Sequence, residues 1–476
     1  MAASASALAP LLQRPHFVGI GGAGMSGIAK ILAMRGAEVT GSDAKESETV
    51  SALRELGVVV HIGHAAEHLA DDASCVVVSS AIRTGNPETA AAKERGIPVV
   101  HRADALAALM EGRRALAVAG THGKTTTTSM LAVGLSALGL DPSYAIGGDL
   151  DKPGSNARHG TGEIFVAEAD ESDRSFHKYT PEVAVVLNVE LDHHTTYASL
   201  EEVYESFTAF ADRITPGGTL VLSADNPGTR ELASRITRGD VRIVTVGESD
   251  GADVRVLKYQ PRGLAGEVTV ALPESFGGGE LTFTVSVPGR HYAHNAVAAL
   301  AAGAALGIPA GDLGPALARY TGVRRRLQLK GTARGVQVVD SYAHHPTEIA
   351  ADLEAIRGNA GGGRVIVVFQ PHLFSRTQQL GREMGKALAL ADAVVVLDIY
   401  PAREDPLPGV TSDIIVRAAA AHGAKVQAEH SMAAVPDLVA ELAREGDLVL
   451  TMGAGDVTDL GPKILARLEG RDTTAR

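Results

Sequence analysis

The sequence predicts an α/β protein built round several mostly parallel sheets. Three observations carry that expectation. Short apolar runs end in glycine-rich loops that lead straight into helical segments, the unit recurs along the chain, and the 476 residues exceed the roughly 150 of one ordinary domain. Together they predict two or three domains, with ligand groups at the carboxyl ends of the strands, where open α/β sheets keep their crevices.

The first unit is the run His16-Phe17-Val18 followed by Gly19-Ile20-Gly21-Gly22-Ala23-Gly24-Met25-Ser26-Gly27, with a helix expected over Ile28–Arg35 and a second strand over Glu38–Thr40. Cys75–Val78 reads as a further strand that ends at Ser79 and Ser80. The second unit is Ala115–Ala119, then Gly120-Thr121-His122-Gly123-Lys124-Thr125-Thr126, then a helix running to Leu138. Val183–Val189 and Thr219–Ser223 have the continuous apolar character of central strands, whereas 251–287 alternates as an antiparallel excursion does. The third unit is Arg364–Phe369, which ends at Gln370-Pro371-His372, with strands to follow at Ala393–Asp398 and Asp447–Thr451. Seams are expected near Glu111–Arg114 and Gly322–Arg326, dividing the chain into 1–113, 114–323 and 324–476.

Composition excludes several classes. No apolar run approaches the roughly 18 residues of a bilayer span, so membrane insertion is not expected. A net charge of -12 argues against a nucleic-acid partner while leaving room for a local phosphate pocket. Cys75 is the sole cysteine and sits in an apolar strand, where it packs; there is no intrachain disulfide, and any zinc site has to be built from histidines and carboxylates. The start, Met1–Leu12, is alanine-rich without a basic stretch, so no secretory signal is expected and the location is read as cytoplasmic. Monomer and homodimer both stay open.

Gly19, Gly21 and Gly24 satisfy G-x-G-x-x-G after a strand, and Asp43 stands where an acid meets a ribose hydroxyl. The loop residues Gly21, Gly22, Gly24, Met25 and Ser26 would seat a diphosphate at a helix N-terminus, Ser42 and Asp43 a sugar or ring edge, and Ser79 and Ser80 the same crevice. By itself this motif suits a nicotinamide dehydrogenase as well as another nucleotide-binding protein. The second loop is sharper, since Lys124 is placed for outer phosphates, Thr125 for Mg2+ and Thr126 for a phosphate or the helix cap. Two phosphorylated ligands are more than a simple hydride-transfer enzyme needs, though a binding protein regulated by a Mg-nucleotide stays open. Glu168 and His193, each just past a strand, are expected to meet round a metal; oxygen ligands predominate, so Mg2+ fits better than Zn2+. Asp192 and His194 are further candidates. At the third unit Tyr342, His344 and His345 follow one strand and His372 and Arg376 another; Arg376 offers a planar fork to a carboxylate and His372 can manage the proton of an amine, a pattern suited to an amino acid.

Taken with Pro288–Asn295 and Gly322–Arg326, these segments resemble the Mur ligases in order over nearly the whole chain. The resemblance implies three domains: an N-terminal Rossmann-like UDP-sugar domain, a central P-loop ATPase-like domain and a C-terminal Rossmann-like domain for the amino acid. It assigns His291 and Asn295 to the nucleotide, brings Arg326 within reach of phosphate, and makes His344 the first general base to test. The reaction it implies is ATP-dependent joining of L-alanine to the carboxylate of UDP-N-acetylmuramate through an acyl phosphate, with Mg2+, in peptidoglycan precursor synthesis. Two stretches depart from commoner family forms. His193-His194-Thr195-Thr196 lacks the usual Met and Asp after the histidine, and Ser341 stands where a second Asp is frequent.

Overall fold

The computed structural model describes residues 8–83, 85–150, 154–193, 196–262, 265–357, 362–402 and 404–470. His194 lies outside the described residues. The first sheet holds β1 (Pro15–Val18), β2 (Thr40–Asp43), β3 (Val59–Ile62), β4 (Cys75–Val78) and β5 (Val99–His101), all parallel, in the order β3-β2-β1-β4-β5. Strand order reverses at β1, so the loop after it opens at the switch point. The second strand is not Glu38–Thr40: pairing begins at His16↔Thr40 and runs on to Asp43. Thr-Gly-Ser-Asp has the turn-like composition that conceals a strand, and only its register beside β1 reveals it. The helix after β1 also starts earlier than expected, at Ala23 rather than Ile28, so Met25 and Ser26 are buried in its first turns.

The second sheet has ten strands: β6 (Arg114–Ala119), β7 (Ser143–Ala145), β8 (Ala157–Arg158), β9 (Ile164–Glu168), β10 (Val183–Val186), β11 (Thr219–Ser223), β12 (Arg242–Gly247), β13 (Val254–Arg262), β14 (Ala265–Ala271) and β15 (Glu280–Val285). Their order is β15-β14-β13-β12-β11-β10-β6-β9-β7-β8, parallel through the middle, with β13 to β15 forming an antiparallel edge. β10 is buried along its whole length, which is why its sequence is apolar throughout instead of alternating. The helices Lys124–Ala137 and Arg290–Ala305 cover one face. The other face shares one continuous core with the first sheet, Phe17, Ile31 and Leu109 joining Phe165, Phe176 and Phe207.

β16 (Gln328–Ala333), β17 (Val336–Ser341), β18 (Val365–Phe369), β19 (Ala393–Val396), β20 (Val426–Ala428) and β21 (Leu448–Met452) form the third sheet, in the order β16-β17-β21-β18-β19-β20. All its pairs are parallel except β16 with β17. β21 lies between β17 and β18, so the loops leaving Ser341 and Phe369 open on the same edge. Among the described residues no helix is long and apolar enough to cross a membrane.

Candidate active site

After Ala119 the chain turns through Gly120-Thr121-His122-Gly123 into the helix Lys124–Ala137. Gly123 has φ +81°, and a Cβ there would lie 2.8 Å from Asn295 Oδ1, so glycine closes this turn and brings Asn295 against it. Four consecutive threonines make a poor helix start on propensity, yet Thr125 to Thr128 are all buried, and the Thr128 hydroxyl donates back to the Lys124 carbonyl at 2.8 Å. No side chain caps the first turn, which keeps its N–H groups available to an anion.

Lys124 Nζ lies 2.6 Å from the Gly120 carbonyl oxygen and 2.9 Å from a Glu171 oxygen. Burial opposes its charge, but Glu171, Glu168 and Asp170 outweigh that and raise its pKa. The Thr125 hydroxyl donates to Glu168 at 3.1 Å, and the other Glu168 oxygen accepts the Gly147 N–H at 2.7 Å. A Cβ on Gly147 would stand 2.7 Å from both Glu168 oxygens, so a side chain there would displace the carboxylate from this position. Burial pushes the Glu168 carboxyl up, and a cation beside it would relieve that cost. His193 makes no direct contact with Glu168 among the described hydrogen bonds. Its Nε2 meets Glu171 Oε1 at 3.2 Å, so Glu171 links it to Lys124 instead.

Arg376 departs further from expectation. Its fork is already held by Asp192, with contacts of 3.1 and 3.2 Å, and its remaining nitrogen meets His372 Nδ1 at 3.1 Å. Arg376 and Asp192 are 4% and 5% exposed, so this ion pair is sealed from water between the second and third sheets. The fork is not open to a substrate carboxylate; Arg376 orients His372 and ties two parts of the chain together. His372 also stacks on Tyr400, with centroids 5.9 Å apart and planes at 14°. His344 Nδ1 stands 2.9 Å from the Tyr342 carbonyl oxygen, which assigns the proton to Nδ1 and leaves Nε2 as an acceptor. Burial, then the Arg376 charge, push its pKa down to about 4, so its imidazole is neutral at pH 7. The guanidiniums of Arg325 and Arg326 lie over the Tyr342 ring at 4.8 and 5.2 Å, and Arg326 reaches Glu348 at 3.5 Å.

The nucleotide loop meets the third sheet through His122. Its Nε2 is 3.3 Å from Glu190 and its Nδ1 3.6 Å from Glu348, while its ring lies 4.3 Å from that of His345. Burial would lower the His122 pKa, yet the two carboxylates carry it up to about 9.

A cavity of ≈ 710 Å³ opens beside the loop, at the carboxyl ends of β10, β11 and β12, and its walls include Asn188, Asp225, His291, His294 and Asn295. A second open groove, ≈ 530 Å³, lies at the opposite ends of those strands around Arg113 and Glu163, away from the reactive groups. His291 Nε2 faces Asp352 Oδ1 at 3.5 Å, and burial pushes the Asp352 carboxyl up to about 7, with Glu348 adding to the rise. Between about pH 4 and 7 the folded chain therefore keeps a proton that the unfolded chain has released, so stability falls as pH rises through this window, by about 1.4 kcal/mol per unit at most. Asp352→Asn is expected to flatten that slope in urea unfolding measured from pH 4.5 to 8. An unchanged slope would place the proton elsewhere.

In the first sheet, Asp43 accepts the Gly21 N–H at 2.8 Å, so it braces the glycine loop rather than reaching out to a ribose. Ser42 is fully buried and donates to Glu88 at 2.8 Å, which removes it from the crevice. Ser26 is likewise buried, receiving the Asn156 amide at 3.2 Å. Gly22, Gly24 and Ser79 stay at least partly open, and Ser80 donates to Asp173 at 2.9 Å. Arg102 lies over Gly24 and is held by Asp170 at 2.7 Å, a cation at the crevice that the sequence reading passed over because it opens a helix after an unremarked strand. Glu171, Glu190 and Glu348 were also passed over. Glu171 stands in an acidic run just past a strand, where that placement was the available signal.

A phosphate-type loop at the centre of a parallel sheet, facing acids on one side and a His/Arg cluster of a second sheet on the other, defines a nucleotide-dependent enzyme that works across a domain junction. Family models match in succession: the Mur ligase family catalytic domain at 14–114, the Mur ligase middle domain at 118–303, and the Mur ligase glutamate ligase domain at 325–455. The chain belongs to the Mur ligase family, whose members are ATP-dependent. It is similar to the UDP-N-acetylmuramate–L-alanine ligases of Streptomyces avermitilis, at 73% identity over 98% of this chain and 99% of that one, and of Streptomyces coelicolor, at 74% over the same shares. The crystal structure of a UDP-N-acetylmuramate–alanine ligase from Thermotoga maritima superposes with a TM-score of 0.80 at 28% identity, covering 96% of this chain and 99% of that one.

Proposed function

We propose that the chain joins L-alanine to the carboxylate of UDP-N-acetylmuramate at the expense of ATP, in the cytoplasm. The observation that carries this reading is the junction itself: the Lys124 loop lies within one contact network of His193, Asp192, Arg376 and His372, so a phosphoryl donor and an amine acceptor would meet there. Full-length similarity to ligases of that name supports the substrates. We divide the chain into domains at 113/114 and 323/324, a reading supported by one sheet falling in each part. ATP would lie along the loop with its base in the cavity by His291 and Asn295, and UDP-N-acetylmuramate along the crevice from Gly22 and Gly24 to Ser79 and Ser80.

In the first step a carboxylate oxygen attacks the γ-phosphorus, the bond to the β-phosphate oxygen breaks and ADP leaves. In the second the amine of alanine attacks the acyl carbon, the carbon–oxygen bond to phosphate breaks and phosphate leaves. Lys124 and the N–H groups of the first helical turn hold the charge on the transferring phosphoryl group. His372, fixed by Arg376 and Tyr400, orients the amine, and His344 Nε2 can accept its proton. Thr125 and Glu168 present two hard oxygens 3.1 Å apart, a set that fits Mg2+, while Glu171 links His193 to Lys124 beside them. When bound, the ion neutralises phosphate charge. Purified chain supplied with ATP, Mg2+, UDP-N-acetylmuramate and L-alanine is expected to yield the coupled product by mass and to sustain ADP release over many turnovers only when both UDP-N-acetylmuramate and L-alanine are present. A folded chain that binds both nucleotides and forms no product would end this reading. Glu168→Gln is expected to raise the Mg2+ concentration for half-maximal rate by ~10-fold or more. An unaltered Mg2+ titration would move the ion to other ligands.

A further inference from the structure

Where the second and third sheets meet there is another group of metal-ligating side chains, distinct from the oxygen pair of Thr125 and Glu168. His122 from the nucleotide loop, Glu190 from the loop after β10 and His345 from the loop after β17 each present one ligand atom, and these atoms lie within 4.8 Å of one another. His122 Nε2 stands 3.3 Å and His345 Nδ1 3.9 Å from the same Glu190 oxygen. Ligands about 2.0–2.2 Å from a tetrahedral zinc ion are spaced by about 3.3–3.6 Å, so of the three pairs one already has the spacing, the second needs about half an ångström of closure, and the two histidine nitrogens, within 4.8 Å of each other, need up to about 1.5 Å.

The surroundings suit such a site. His345 Nδ1 receives only a long 3.4 Å contact from the Thr347 N–H, which marks it as the nitrogen carrying a lone pair. The Thr347 hydroxyl donates to Glu190 at 2.9 Å and fixes that carboxylate. Glu348 stands 3.6 Å from His122 Nδ1, the far nitrogen of the ring, as carboxylates stand behind ligating histidines. Two imidazoles and one carboxylate select a borderline cation such as Zn2+ over Mg2+, which prefers oxygen alone. We propose that His122, Glu190 and His345 form a binding site for Zn2+ or a metal of its class, which ties the nucleotide loop to the C-terminal domain.

The proposal is independent of the ligation chemistry, and its test is read without nucleotides. Zn2+ alone is titrated calorimetrically into the full chain, and Co2+ is added separately as a visible-absorption probe. One Zn2+ per chain is expected, with affinity weakened ~30-fold or more in His345→Gln and Glu190→Gln, by about 10–100-fold in Glu348→Gln, and unchanged in Glu168→Gln. The Co2+ bands should vanish in His345→Gln, and Zn2+ should raise the unfolding midpoint of the wild type but not of that variant. Should His345→Gln fail to fold, Glu190→Gln and Glu348→Gln decide the matter. Absence of Zn2+ binding, equal binding in Glu190→Gln and Glu348→Gln, or loss of binding in Glu168→Gln instead would each overturn the site. A chain that fails to ligate yet binds Zn2+ in this pattern leaves it standing.

Discussion

Lys124→Ala is expected to lower turnover by about 10²–10³-fold, the range for removing one fixed charge or donor from a transition state, and to lower stability as well. The second effect follows from the acids round the ammonium. Glu171 is 3% exposed and its carboxylate lies 2.9 Å from Lys124 Nζ, so deleting the lysine leaves a buried negative charge without its cation. Breaking a buried ion pair by removing one partner costs about 3–5 kcal/mol, and the contact that Glu171 keeps with His193 favours the lower end. Lys124→Ala combined with Glu171→Gln should therefore recover most of the stability and none of the turnover. Urea unfolding and substrate-stimulated ADP release separate the two effects. Near-normal turnover in Lys124→Ala would reject a phosphate role for this residue, and equal stability of the single and double variants would reject the ion pair.

Much of this site was legible because its parts are local. The glycine loops, the strands before them and the polar residues just beyond them sit within a few positions of one another, so spacing alone places Lys124, Thr125 and Glu168 at strand ends. What could not be read is which distant group faces which. Glu168 and Glu171 belong to one acidic run, and only the backbone beyond β9 decides that Glu168 meets Thr125 while Glu171 meets Lys124 and His193. Ser42 has the composition of a ligand-binding serine, yet one residue of register in a short parallel strand turns it into the core against Glu88. Asp352 lies one helical turn beyond Glu348, on a helix that looks ordinary in sequence, and its raised pKa comes from burial that no local pattern announces. The largest omission was the Asp192–Arg376 pair, whose members are 184 positions apart, one in the loop after β10 and the other in the helix after β18.

That pair carries the second large prediction. Arg376→Ala is expected to destabilise the protein by about 3–5 kcal/mol, because it leaves Asp192 charged and buried between two domains. Asp192→Asn should cost less, since Arg376 keeps His372 as a partner, and the double variant should be more stable than the sum of the single losses predicts, by about 0.5–3 kcal/mol. Burial would raise the Asp192 pKa, but Arg376 holds it well below the usual carboxylate range. The contribution of the pair is thus fully present above about pH 4, the unfolded value, and is lost only as pH falls further through the folded value; in Arg376→Ala burial is no longer offset by that charge and raises the Asp192 pKa, so the cost of the substitution should shrink as pH is lowered from 8 toward 5. In the proposed reaction the arginine would act through His372, which loses its 3.1 Å contact in the variant. A fall in kcat is expected together with any rise in the KM for alanine. If Arg376→Ala instead proves as stable as the wild type and raises only that KM, the fork binds the substrate carboxylate during turnover and the ion pair with Asp192 is its resting arrangement.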